Sequence, residues 1–151
     1  MARRFRRLLV PYDFSRDADR ALATAIGLAR RESARVTVLH VVSPIVLPKG
    51  FPPTATFCPP TPALLAELRR RLDRRIARAT GGRRTPPVIG RVVAGDPHRS
   101  IIAATRGADL VVMGTQGLTG ISHLLIGSVA EKVVRHSPVP VLTLRRRGRA
   151  R

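Results

Sequence analysis

The chain has 151 residues, the length of one domain, with 44% apolar residues and almost no aromatics beyond four Phe and one Tyr. Its 28 Lys and Arg residues against 9 Asp and Glu give a formal charge of +19, and only Lys49 and Lys132 are lysine. No apolar run approaches the about 18–20 residues that a membrane-spanning helix needs, and the single cysteine, Cys58, excludes an internal disulfide.

The basic start Met1-Ala2-Arg3-Arg4-Phe5-Arg6-Arg7 is followed only by Leu8-Leu9-Val10 before Pro11-Tyr12-Asp13, too short for a secretory core. With no membrane span and no disulfide, this points to the cytoplasm. Leu8–Val10 reads as a buried strand. Ser15 caps a helix from about Asp17 to Ser33, with Ala18, Ala21, Leu22, Ala25, Ile26 and Ala29 at helical spacing. Asp17 and Asp19 lie in its first turn, where the helix dipole favours them. The β-branched run Val36–Val42 is the second strand.

Residues 43–62 hold seven of the thirteen prolines and read as an irregular surface loop, a candidate lid. A helix from about Pro62 to Thr80 turns Leu65, Leu68, Leu72, Ile76 and Ala79 inward and its arginines outward. Val88–Val93 is the third strand, and Asp96-Pro97 opens a short helix as cap and first residue. Leu110–Met113 is the fourth strand, Ser128–Val134 opens a helix, and Val139–Leu144 is the fifth strand. The alternation predicts an α/β, doubly wound single domain over residues 1–151: a five-stranded parallel sheet with helices on both faces, and basic tails at about 1–6 and 145–151.

The most informative stretch runs from Val111 to Ser128. Gly114, Gly117 and Gly127 with Ser128 follow the pattern G-x2-G-x9-G-[ST], between the carboxyl end of a strand and the amino end of a helix. Glycine lets backbone N–H groups approach a ligand closely, and a helix start offers unpaired donors and a positive dipole end. Phosphate suits such a loop, with Ser128 adding a hydroxyl donor.

These residues, together with Leu8-Leu9-Val10-Pro11-Tyr12-Asp13-Phe14-Ser15 and the closing Ser137-Pro138-Val139-Pro140-Val141-Leu142, resemble the universal stress protein family over roughly residues 6–145. The resemblance implies strand order 3-2-1-4-5, a homodimer through strand 139–144, and an adenine nucleotide between the first and fourth strands. The order reverses between those strands, and ligands of open α/β sheets bind at such a switch point. On this likeness Asp13 accepts the ribose hydroxyls, the alternative being a cap for the first helix. Pro11 and Tyr12 flank the adenine or form a turn, and the backbone of Val41 reads the adenine edge unless it is simply core. Met113 and Gly114 wall the base and ribose, while Gly117, Gly127, Ser128 and Val129 gather the phosphates. Many family members carry a basic residue just after the second glycine. Here Leu118 stands there, with Gln116 before that glycine and His123 further along the loop. ATP is therefore expected with ADP and AMP as competitors, and Mg²⁺ only as a companion of the phosphates.

No G-x4-G-K-[ST], no G-x-S-x-G and no paired-carboxylate motif occurs, so no catalytic residue is assigned. The expected function is a stress-response nucleotide-binding module without efficient catalysis. The rivals are a slow ATPase or ATP-dependent phosphotransfer protein, and a basic interaction protein with a vestigial site. His40, His98 and His136 lack metal-ligand spacing with any cysteine or carboxylate pair, so no protein-held metal is expected. The arginines are dispersed and not interleaved with aromatics, so salt-sensitive sticking to polyanions is expected but no specific nucleic-acid site.

Overall fold

The computed structural model describes residues 4–46, 57–84, 86–115 and 126–144. Strands β1 (Arg7–Pro11), β2 (Arg35–Val42), β5 (Val88–Ala94), β6 (Leu110–Gly114) and β7 (Val141–Leu144) form one sheet. Its order is β5-β2-β1-β6-β7 and every pairing is parallel, which is the 3-2-1-4-5 order expected when these five strands are counted in turn. Helices α1 (Arg16–Glu32), α2 (Pro62–Thr80), α3 (Pro97–Ala104) and α4 (Ser128–His136) surround it. Among the described residues no helix is long and apolar enough to cross a membrane.

Burial on both faces explains the near-continuous apolar strands. Leu8, Val10, Val36, Val38 and Val112 pack with Ala18, Ala21, Leu22 and Ala25 of α1 and with Leu72 and Ile76 of α2. Leu9, Leu39, Val111 and Met113 pack on the other face with Ile101 of α3 and with Ala130 and Val133 of α4. Local chemistry sets the helix ends. Ser15 accepts the Ala18 N–H at 3.1 Å, Thr61 caps α2 and Asp96 caps α3, while Gly81 ends α2 in the left-handed region.

Three details depart from the sequence reading, the first being that Ala79 of α2, expected inward, is exposed while Thr80 is buried. The proline-rich stretch contributes a short antiparallel pair, β3 (Ile45–Val46) with β4 (Phe57–Cys58), where β-branched and aromatic residues stand between the prolines. The last strand starts at Val141 rather than Val139, because Pro140 offers only its carbonyl, which accepts the Val111 N–H at 3.0 Å. Register then decides what the sheet edge presents. In a parallel ladder alternate residues face opposite neighbours. Pro140 and Leu144 carbonyls bond β6, so Leu142 also faces β6 and the N–H and C=O groups of Val141 and Thr143 face outward.

The amino ends of β1 and β6 are tied by Asp109, whose carboxylate accepts the N–H groups of Arg6 and Arg7 and the Arg7 guanidinium at 2.9–3.0 Å. The Arg7 hydrogen bond holds the Asp109 carboxyl below the usual carboxylate range. At the other end α1 lies against β6 so closely that a Cβ on Gly114 would stand 2.7 Å from the Asp17 Cβ and 2.9 Å from its backbone carbon. The glycine is thus required by helix–sheet packing.

Behind the carboxyl end of β1 sits a polar and aromatic cluster. Tyr12 is 3% exposed, and its phenol donates to Asp19 Oδ1 while Arg75 of α2 donates to Asp19 Oδ2 at 3.1 Å. Phe14 has φ +65°, a left-handed conformation that costs a bulky residue about 1–2 kcal/mol. Its ring is held edge-on by Tyr12 and His40 and lies under the Arg71 guanidinium at 4.4 Å.

Two outcomes follow. Gly114→Ala is expected to destabilise the protein by about 1–3 kcal/mol through overpacking against α1, read by urea unfolding. Burial first, and then the Asp19 hydrogen bond, push the Tyr12 phenol well above its usual value. A raised phenol pKa contributes stability that is complete below the unfolded value near 10 and is lost as pH climbs through the folded one. Tyr12 is the only tyrosine and tryptophan is absent, so phenolate absorbance reports it alone. The expected titration runs well past pH 10 and coincides with unfolding, and Tyr12→Phe removes that alkaline loss of stability.

Candidate functional site

A cavity of about 260 Å³ opens where β1 and β6 end, at the reversal of strand order. Its walls include Pro11, Tyr12, Asp13, Val41, Met113, Gly114, Gly127, Ser128 and Val129, nine of the ten residues that the sequence nominated. The tenth, Gly117, lies outside the described residues, as do Gln116, Leu118 and His123. Ser15, Ala18, Leu39, His40, Pro97, Ile101, Thr115 and Ala130 complete the lining. Pro97 was expected only as the first residue of a short helix and Ile101 was not singled out, because nothing in the sequence says that this helix leans over the switch point.

The floor is made by a break in the β1–β2 ladder. Tyr12 N–H donates to the Leu39 carbonyl at 2.8 Å, which is the last bond between the two strands. Its own carbonyl accepts from His40 Nδ1 at 2.7 Å instead of from Val41 N–H. A carbonyl only accepts, so the His40 ring carries its proton on Nδ1. On β2 the even-numbered residues bond β5, as the Gly95 N–H to Val42 carbonyl bond shows, and the odd-numbered ones face β1. Val41 therefore turns both its N–H and its C=O toward the gap, with no backbone partner among the described residues.

The opposite wall is the start of α4. Gly127 N–H donates to the Thr115 carbonyl at 2.7 Å, and Thr115 N–H and Oγ1 both donate to the Leu144 carbonyl. This chain of bonds fixes α4 relative to β6 and β7. No side chain caps α4, and the N–H groups of Ser128, Val129 and Ala130, residues that line the cavity, have no partner among the described residues. A Cβ on Gly127 would point at the Thr115 carbonyl, 3.2 Å away, so a side chain there strains the turn as well as the cavity rim.

Asp13 is half-buried, and its Oδ1 accepts the Ser15 N–H at 3.0 Å. Ser15, not Asp13, is the helix cap, and the second carboxylate oxygen has no protein partner among the described residues. Tyr12 lines the cavity while its ring packs in the core with its phenol on Asp19. Pro11 is the last residue of β1 rather than part of a turn. Among the described lining residues none is Lys or Arg, so anion attraction here comes from backbone donors.

His98 and His136 were expected to hold no metal, lacking ligand spacing with any cysteine or carboxylate pair. The structure brings them together, with His136 Nδ1 and His98 Nε2 3.1 Å apart across α3 and α4. Among the described residues no group of three or more metal-ligating side chains forms.

The universal stress protein family model matches residues 4–145. A universal stress protein of Thermus aquaticus is 35% identical over 146 residues, spanning 93% of this chain and 99% of that protein. The crystal structure of a family member from Burkholderia pseudomallei is 31% identical, with a TM-score of 0.67 and coverage of 95% and 98% of the two chains. Two structures of the same fold were solved with nucleotides. One is a universal stress protein in complex with cAMP, at 22% identity, 94% and 98% coverage and TM-score 0.64. The other is the universal stress protein of Archaeoglobus fulgidus in complex with dAMP, at 20% identity, 93% and 98% coverage and TM-score 0.65. A family model that matches nearly the whole chain and a relative 35% identical over 93% of it lead to one assignment: this chain belongs to the universal stress protein family.

Proposed function

We propose that the cavity binds an adenine nucleotide, ATP with ADP and AMP as competitors, and that the protein is a nucleotide-responsive binding module rather than an efficient enzyme. The observation that carries the reading is the open backbone pair of Val41 opposite the uncapped start of α4. Adenine offers an acceptor, N1, beside the N6 amino donor, which matches one N–H and one C=O on the same residue. The free oxygen of Asp13 suits a ribose hydroxyl, and the N–H groups of Ser128, Val129 and Ala130 suit phosphate. At about 260 Å³ the cavity lies just under the usual ~300–1,000 Å³ of ligand pockets, so it fits a base and ribose with the phosphates toward α4. The cAMP and dAMP complexes of the fold relatives support the ligand class.

Turnover lacks support. Phosphoryl transfer needs strong charge neutralisation and a positioned nucleophile, and the described lining supplies backbone donors, hydroxyls, one carboxylate and one imidazole but no Lys or Arg. Mg²⁺ enters this reading only as a companion of the phosphates.

Ser128→Pro tests the site without dismantling it. Proline is accepted at the first helical position, and the extended backbone of Gly127, ψ 150°, tolerates a following proline. The variant loses one N–H and one hydroxyl from the phosphate end. One hydrogen bond to a charged group is worth about 1.5–3 kcal/mol, so ATP affinity by calorimetry is expected to fall at least tenfold in a folded protein. Unchanged affinity would remove the phosphate assignment.

The homodimer is part of the same reading. β7 is an edge strand with Leu142 37% exposed, and the outward groups of Val141 and Thr143 are open to pairing with a second copy under two-fold symmetry. Thr143→Pro removes an outward donor and none that β6 uses. Light scattering is expected to give a dimer for the parent and a monomer for this variant. A dimer that survives the change would move the interface elsewhere.

A further inference from the structure

Helices α3 and α4 pack side by side on one face of the sheet, and their opposite ends bring two histidines into contact. His98 is the second residue of α3, and His136 is the last of α4. His98 Nε2 and His136 Nδ1 face each other at 3.1 Å, with ring centroids 5.0 Å apart and planes tilted by 55°. Neither ring has another hydrogen-bonding partner among the described residues. His136 is exposed and His98 half-exposed, so the facing edges are open to solvent.

We propose that this pair is a two-imidazole site for a borderline divalent transition ion of the Zn²⁺ class. The geometry carries the assignment. With metal–nitrogen bonds of about 2.0–2.1 Å, two nitrogens 3.1 Å apart subtend about 100° at a shared ion, between the octahedral and tetrahedral angles. The spacing is that of two ligands on one ion, and each ring turns its lone pair by about 40° off the N···N line to meet it there. The helices that carry the rings are themselves fixed by packing, α3 through Ile101 and α4 through Ala130 and Val133.

The proton arrangement is compatible. In the empty site one facing nitrogen donates to the other. Binding requires both to offer lone pairs, so the N–H groups sit on His98 Nδ1 and His136 Nε2. Neither of those atoms is engaged by another described residue, so the tautomer change gives up only the N–H···N contact that the ion replaces. Water fills the remaining coordination positions. The chain's +19 charge opposes any cation at long range, which favours a metal held by neutral nitrogen lone pairs over Mg²⁺ or Ca²⁺, which need carboxylate and carbonyl oxygen. Pro97, beside His98, and Ser128–Ala130, on the helix of His136, line the cavity, so a bound ion would clip together two of its walls. The inference does not depend on what that cavity binds.

The test is calorimetric titration of Zn²⁺ into the full chain in a non-coordinating buffer, with Mg²⁺ as the comparison ion. The expected result is one saturable Zn²⁺ site per chain and no matching Mg²⁺ site. Removing the hydrogen-bond support of a metal ligand already costs roughly 10–100-fold in affinity, so His98→Ala and His136→Ala should each lose at least that much. Both positions are at least partly exposed, and circular dichroism confirms that the variants fold. Absence of saturable Zn²⁺ binding, equal Mg²⁺ binding, or undiminished affinity in either single variant would overturn the site.

Discussion

The candidate site depends on the early end of one ladder. β1 and β2 pair from Arg7 with Arg35 to Pro11 with Leu39, and one further bond reaches Tyr12. Then β1 stops while β2 continues to Val42 against β5. A buried backbone group without a partner is costly, so the Tyr12 carbonyl must be satisfied in another way. The His40 ring satisfies it. The consequence falls on Val41, whose N–H and C=O would have continued the ladder and instead face a cavity. An edge of backbone donors and acceptors deep in a sheet is thus produced by topology, with no special side chain at that position.

Such a gap is useful only if its rim is rigid, and the rim is secured from behind. Tyr12 is tied through Asp19 to Arg75, and Phe14 is held in a strained backbone conformation by Tyr12, His40 and Arg71. Two arginines of α2 therefore act on the loop that carries Asp13. This changes the meaning of the basic helix face. Arg69 pairs with Asp73, and Arg70 and Arg74 pair with Glu67, exposed contacts of small energetic weight. Arg71 and Arg75 of the same helix are instead engaged with the Phe14 ring and with Asp19.

Much of this was legible in the sequence. Helix caps at Ser15 and Asp96 and the apolar strands are local patterns, and the alternation of strands and helices permits only a parallel sheet. The order of the strands came from family likeness, since alternation alone does not fix it. What could not be read depends on distances between remote segments. Gly114 lines the cavity, but only the fold shows that a Cβ there would meet Asp17 of α1. Nothing in the sequence near Tyr12 shows that Asp19 and Arg75, brought from two helices, hold its phenol in the core. Register sets which edge groups of β7 face outward, and no residue type reveals it. His98 and His136 lie 38 residues apart, so their meeting is a product of helix packing.

The central claim is that an open strand edge and an uncapped helix start act together as one adenine-nucleotide site. The most direct measurement follows backbone amide resonances of isotopically labelled protein during titration with ATP. The account predicts saturable shifts at Val41 and at Ser128, Val129 and Ala130 with a common affinity, since base and phosphate engage these groups in the same event. Saturable binding that leaves the Val41 amide unmoved, or no binding at all, would contradict it.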